Sequence, residues 1–202
     1  MTCIKFCGLT RFCDIDFANE LKPEFIGFVF AHKSKRYITP EHAAELRARL
    51  SPEIKSVGVF VDENINVIAE IASRNIIDAI QLHGSENEDY IRQIRALTGK
   101  TIIKAFVINS PDTLNQASQS NADYILLDNG MGTGETFDWD IIQGFTRDYF
   151  LAGGLNPENV GEAVRMLSPF AVDTSSGIET NGFKDKTKMA EFIERTRNMK
   201  GE

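Results

Sequence analysis

Four features of this chain carry side chains suited to chemistry. Lys5-Phe6-Cys7-Gly8 closes the first apolar run with a thiol, which as thiolate is a base or a nucleophile. Asp128 ends the apolar run Tyr124-Ile125-Leu126-Leu127, and burial raises a carboxylic acid's pKa, which suits a proton donor at neutral pH. Arg36, within Ser34-Lys35-Arg36-Tyr37, offers a guanidinium that forks onto a carboxylate. Gly153-Gly154 and Ser175-Ser176-Gly177 are small turns of the kind that let a phosphate approach backbone amides. Each feature has a plain alternative: a buried structural cysteine, an Asp that caps a loop, a surface Arg, two tight turns. Whether they meet is decided by the elements that carry them.

Short β-rich runs alternate with helical stretches from one end to the other. The pattern predicts strands over Cys3–Cys7, Phe25–Phe30, Lys55–Val61, Ile77–Leu82, Thr101–Val107, Tyr124–Asp128, Tyr149–Ala152 and Phe170–Asp173. Apolar residues at three- and four-residue spacing mark helices at Ile65–Ile71 and Glu88–Arg95, and Thr39-Pro40, Ser110-Pro111 and Asn156-Pro157 read as helix starts. Eight strand–helix units in 202 residues leave about 25 residues each, enough for an α/β fold of the TIM-barrel, (β/α)8, type. A doubly wound open sheet would more usually have five to seven strands and a glycine-rich turn after the first. Here such turns follow the sixth, seventh and eighth strands, which favours the barrel.

Parallel barrel strands bring all eight carboxyl ends to one mouth. Those ends carry Cys7-Gly8, His32, Asp62, Gln81-Leu82-His83, Val107, Asp128, Gly153-Gly154 and Asp173-Thr174-Ser175-Ser176-Gly177. The loops after strands seven and eight are where this fold holds phosphate. Alternation along the first strand turns Lys5 inward if Cys7 points inward. Strand eight neighbours strand one in a closed barrel, so Asp173 becomes the candidate partner for Lys5. A cation beside Cys7 would favour its thiolate; the alternative is that Lys5 only balances a nearby carboxylate. Gln81 and His83 also face the mouth by parity, His83 either as a titrating group or as a structural histidine. Loop 129–136, with three glycines, reads as a lid.

Bulk properties narrow the class. The net charge of -7, with no block of Lys and Arg, argues against a nucleic-acid or membrane-surface binder. No apolar run approaches the ~20 residues of a membrane span, and the N-terminus lacks the layout of a signal peptide. All three cysteines lie within the first thirteen residues and the three histidines are scattered, so neither a disulfide framework nor a zinc site is expected. The expectation is a cytoplasmic enzyme of one domain spanning 1–202, with a small-molecule substrate, no metal and a monomeric or homodimeric state.

Taken in order, Lys5-Phe6-Cys7-Gly8, Gly27-Phe28-Val29-Phe30, Ser34-Lys35-Arg36-Tyr37, Gln81-Leu82-His83-Gly84, Leu127-Asp128, Phe137-Asp138-Trp139, Ala152-Gly153-Gly154-Leu155-Asn156-Pro157-Glu158-Asn159-Val160 and Val172-Asp173-Thr174-Ser175-Ser176-Gly177-Ile178-Glu179 resemble the phosphoribosylanthranilate isomerase family of tryptophan biosynthesis. The resemblance covers almost the whole chain. It implies a (β/α)8 barrel that isomerises N-(5-phosphoribosyl)anthranilate to the 1-deoxyribulose 5-phosphate without metal or cofactor. It further implies Cys7 as general base, Asp128 as general acid and Arg36 as anchor for the anthranilate carboxylate, with phosphate at the two glycine turns. Phe6 stands where the family more usually has an aliphatic residue and is expected to face the helix layer. Met131 and Glu135 occupy variable loop positions. Rivals are a sugar-phosphate epimerase, the tryptophan synthase α-subunit, and a catalytically silent barrel that binds a phosphorylated ligand.

Overall fold

The computed structural model describes residues 1–128 and 139–198. Eight parallel strands close into a barrel in sequence order: β1 (Cys3–Cys7), β2 (Phe25–Val29), β3 (Lys55–Phe60), β4 (Ala79–Leu82), β5 (Thr101–Val107), β6 (Tyr124–Asp128), β7 (Tyr149–Leu151) and β8 (Ala171–Thr174). Around them run α1 (Phe12–Leu21), α2 (Pro40–Arg49), α3 (Ile65–Ser73), α4 (Glu88–Thr98), α5 (Pro111–Gln119), α6 (Val160–Leu167) and α7 (Lys186–Arg197). A two-residue hairpin, β9 (Glu179–Thr180) with β10 (Phe183–Lys184), interrupts the return from β8 to α7.

The strand predictions hold to within two residues at each end. β4 starts at Ala79 and not Ile77, because the Asp78 carboxylate accepts the Ser56 N–H at 2.9 Å just before the β3–β4 ladder begins. The sixth unit departs from strand–helix alternation: among the described residues it holds only a 3-10 turn, Trp139–Ile142. Loop 129–136, read as a lid, lies outside the described residues, as do Phe137 and Asp138. Thr39 and Ser110 cap α2 and α5 with Pro in the first turn, as predicted. Asn156-Pro157 does not start a helix. Asn156 Oδ1 accepts the N–H groups of Glu158 and Asn159, which makes a side-chain turn, and α6 begins at Val160.

Alternation sorts the strand residues into two cores. Outward residues such as Ile4, Phe6 and Ile26 pack between barrel and helices, with Phe6 edge-on to Phe192 of α7 at 6.0 Å. Burying such a side chain contributes about 1.5–3 kcal/mol. Inside the barrel, Phe25, Tyr124, Phe150 and Phe170 form an aromatic plug with ring centroids 4.7 to 5.7 Å apart. Cys7, Val29 and Val59 group at the opposite end of the interior, by the carboxyl ends of their strands. With its base filled by rings, the interior opens to a ligand at the carboxyl ends.

Candidate active site

The register of β1 against β8 sets Lys5 beside Asp173, and their side chains meet at 2.9 Å. Lys5 is fully buried, so this contact offsets its desolvation. Burial works against the Lys5 charge, but Asp173 and Cys7 outweigh it and hold the ammonium above its ordinary range. Burial also lifts the Asp173 carboxyl, with Lys5 opposing. The two upward tendencies compete for one proton. We assign it to Lys5, because a neutral pair would forfeit the attraction that makes a 2.9 Å contact favourable at this depth.

Cys7 stands two residues further along β1, against Gly27 of β2. A Cβ at Gly27 would lie 2.8 Å from the Cys7 sulfur, so the absent side chain is what houses the thiol. The expected pull of Lys5 on this thiol is present but does not decide the outcome. Lys5 does pull toward thiolate, but burial is the larger effect and Asp173 opposes Lys5, so the thiol sits above its ordinary value.

Across the mouth, the half-buried Asp128 carboxylate lies 3.2 Å from His83 Nε2. His83 Nδ1 is in turn 2.9 Å from Gln81 Nε2. Gln81 is almost wholly buried, and its Oε1 has no hydrogen-bond partner among the described residues. Arg36 lies over Gly8, whose φ of 76° and missing Cβ make room for the arginine stem. Ser34 Oγ accepts the Arg36 N–H and shapes the β2–α2 connection. The guanidinium is already engaged: Nε and Nη2 donate to the two carboxylate oxygens of Glu179 at 2.6 and 2.8 Å.

Gly153 and Gly154 follow β7 with φ of 89° and 68°, a conformation that needs glycine. Asn159 Nδ2 donates to the Gly154 carbonyl and braces the turn. Ser175 and Ser176 face it from the β8 side, where a 3-10 turn, Ser176–Ile178, follows. Gly177 does not line the mouth. A Cβ there would stand 2.0 Å from the Leu155 carbonyl oxygen, so this glycine lets the turns after β7 and β8 pack together.

Cys7, Arg36, Gln81, His83, Asp128, Gly153, Gly154, Asp173, Ser175 and Ser176 thus surround one cavity of about 290 Å³. Lys5 lies beneath it. The sequence alone gives no role to Glu179 or Lys184, whose side chains are only 10% and 2% exposed and lie against Arg36 and Ser175. The signal was weak: Glu179 merely ends the Ser-Ser-Gly stretch, and Lys184 resembles any surface lysine. A larger groove of about 650 Å³ lies between the β4–α4 connection and α5. Its buried cation, Lys104, donates to the Leu82 and Gly84 carbonyls and to Glu86, which spends all three ammonium protons. The smaller mouth is the one that brings the thiol, the Asp128 carboxyl and Arg36 together. Among the described residues no group of three His, Cys, Asp or Glu is placed to hold a metal ion.

An eight-stranded parallel barrel with a thiol and a carboxyl at its mouth, and glycine turns after strands seven and eight, has the architecture of a phosphosugar-handling barrel enzyme. Residues 4–195 match the family model described as N-(5'phosphoribosyl)anthranilate (PRA) isomerase. The N-(5'-phosphoribosyl)anthranilate isomerase of Thermoanaerobacter sp. (strain X514) is 44% identical, the match covering 99% of this chain and 100% of the relative. The crystal structure of phosphoribosyl anthranilate isomerase from Thermotoga maritima superposes with a TM-score of 0.90 at 39% identity, covering 98% of this chain and 99% of that one. A phosphoribosyl anthranilate isomerase in complex with reduced 1-(o-carboxyphenylamino)-1-deoxyribulose 5-phosphate superposes with a TM-score of 0.88 at 39% identity and the same coverage. The chain belongs to the N-(5'-phosphoribosyl)anthranilate isomerase family. Its activity is the isomerisation of phosphoribosylanthranilate in tryptophan biosynthesis.

Proposed function

We propose that the mouth carries out an Amadori rearrangement with Asp128 as general acid and Cys7 as general base. The observation that carries the reading is that both groups, with Arg36 and the two phosphate-side turns, line the same cavity of about 290 Å³. Protonated Asp128 donates to the ribose ring oxygen, and the ring opens to a Schiff base bearing the aryl group. That cation acidifies the proton on C2 of the sugar. Cys7 thiolate removes it, giving an enolamine that tautomerises to the ketone. His83 Nε2, 3.2 Å from Asp128, is placed to donate to the carboxylate once its proton has left. A buried thiol is a stronger base when ionised, although fewer molecules hold it ionised at neutral pH.

Arg36 keeps Nη1 and the second Nη2 proton for the anthranilate carboxylate, since Glu179 takes only two of its five donors. Gly153, Gly154, Ser175 and Ser176 hold the phosphate, with Gly177 shaping their turn. Asp173 and the unpartnered Gln81 Oε1 receive sugar hydroxyls, which gives the buried amide oxygen its missing donor. These steps require only proton transfers, so we assign no cofactor. Every group named comes from one chain, and the same chemistry serves a monomer or a homodimer. We assign residues 1–202 to one domain and the enzyme to the cytoplasm; its net charge of -7 suits a small-molecule substrate better than nucleic acid or membrane.

The test is to generate phosphoribosylanthranilate in situ and follow the loss of its fluorescence. Wild-type protein consumes it. Cys7→Ala binds without turnover, and Asp128→Asn loses most of kcat with a modest change in KM. Near-normal turnover by Cys7→Ala overturns the base assignment.

A further inference from the structure

We propose that Glu179 and Lys184 form with Arg36 a clamp of net positive charge that sets selectivity for the substrate's ring carboxylate. The inference rests on the reading of Arg36 as the carboxylate anchor. Glu179 grips one edge of the guanidinium through two bonds of 2.6 and 2.8 Å, which fixes the plane of the other edge. Alone, that carboxylate would cancel the Arg36 charge and repel an incoming anion. Lys184 removes the difficulty: its Nζ lies 2.6 Å from Glu179 Oε1, with a side chain only 2% exposed. Two cations and one anion leave the cluster at +1, so Arg36 is both held and still attractive to a carboxylate.

The backbone sets this arrangement. Glu179 and Lys184 are direct partners across the β9–β10 hairpin, which fixes their spacing. The same ammonium donates to Ser175 O at 2.9 Å and to Ser175 Oγ at 3.2 Å. Ser175 Oγ in turn donates to the Cys7 carbonyl at 2.9 Å. One buried lysine therefore ties the carboxylate anchor to the phosphate-side turn and to the strand bearing the base. Burial disfavours the Lys184 charge and Glu179 restores part of it. Stability alone offers no reason to build such a cluster, because apolar residues of similar volume are often as stable as a buried ion pair.

Two competitive inhibitors read the clamp: reduced 1-(o-carboxyphenylamino)-1-deoxyribulose 5-phosphate and the same compound without its ring carboxylate. Lys184→Met takes the cluster from +1 to zero. It should weaken the carboxylate-bearing inhibitor roughly tenfold more than the other, with KM raised and kcat largely kept. Lys184→Arg should restore the preference. Glu179→Gln with Lys184→Met returns the cluster to +1 without a buried unpaired anion, and should recover the preference to within about threefold even if the single variant folds poorly. Equal weakening of both inhibitors, or a double variant as indiscriminate as Lys184→Met, overturns the clamp. Arg36→Ala separates the two readings. If it leaves the preference intact, the anchor assignment fails; if it abolishes a preference that Lys184→Met leaves untouched, only the clamp fails.

Discussion

Gly27→Ala probes the base without altering any group that does chemistry. A Cβ at this position would stand 2.8 Å from Cys7 Sγ, 3.2 Å from Cys7 Cα and 3.4 Å from Cys7 Cβ. Ordinary contact between such atoms needs about 3.5–4.0 Å, so the sulfur must retreat by about 1 Å. The two Cα atoms are ladder partners between β1 and β2, and backbone cannot yield without breaking the barrel. The thiol must therefore turn about its own χ1, away from its place beside Gly27. A displacement of about 1 Å in a reacting group costs on the order of 100-fold in rate, and overpacking costs about 1–3 kcal/mol of stability. In the fluorescence assay kcat should fall about 100-fold with KM nearly unchanged. Substrate deuterated at C2 should show a larger isotope effect, because proton removal becomes slower than the other steps. Adding Gly27→Ala to Cys7→Ala should cost nothing further, since no base remains to misplace. A folded Gly27→Ala enzyme with near-normal kcat would refute the idea that Cys7 works from the position seen here.

Three other outcomes follow from the same geometry. Burial raises the Cys7 thiol above the ordinary cysteine range, so the neutral form persists to higher pH than in an exposed cysteine. Alkylation of Cys7 by iodoacetamide, followed by peptide mass mapping, should reach half its maximal rate at a higher pH than an exposed cysteine does; a plateau near neutrality would show that Lys5 prevails over burial. Lys5→Met strands Asp173 in the barrel and should cost about 3–5 kcal/mol by thermal or denaturant unfolding, with Asp173→Asn in the same chain recovering most of it. Gly177→Ala drives a methyl to 2.0 Å from the Leu155 carbonyl, so the turns after β7 and β8 must separate; under the proposed phosphate assignment inhibition by inorganic phosphate should weaken, and unchanged inhibition would place the phosphate elsewhere.

Much of the barrel was legible because its signals are local. Alternating apolar runs and Pro-after-cap starts are properties of neighbouring residues, and eight of them in a row leave few ways to bury both faces of a parallel sheet. Asn156-Pro157 misled for the same reason. The dipeptide is a helix start in form, but Asn156 spends its carbonyl oxygen on a turn, and only the packing against the Gly154 carbonyl decides between the two. Residues 129–136, expected from their glycines to act as a lid, lie outside the described residues.

The chemical groups at the mouth were also readable in advance, because parallel strands send their ends one way and parity sorts inward from outward. Lys5 facing Asp173 needed only that rule and the adjacency of β1 and β8. What the sequence could not rank were opposing long-range terms. Whether Cys7 is raised or lowered depends on how deeply the barrel buries it against how close Lys5 and Asp173 stand, and burial wins. The Glu179 partner of Arg36 was not readable because it lies 143 residues away in sequence. The chain alone determined which strand ends supply a thiol, a carboxyl and phosphate-sized turns. Only the closed barrel decided their charge states and partners, because desolvation and Coulomb energies follow distance in space and have no counterpart in distance along the chain.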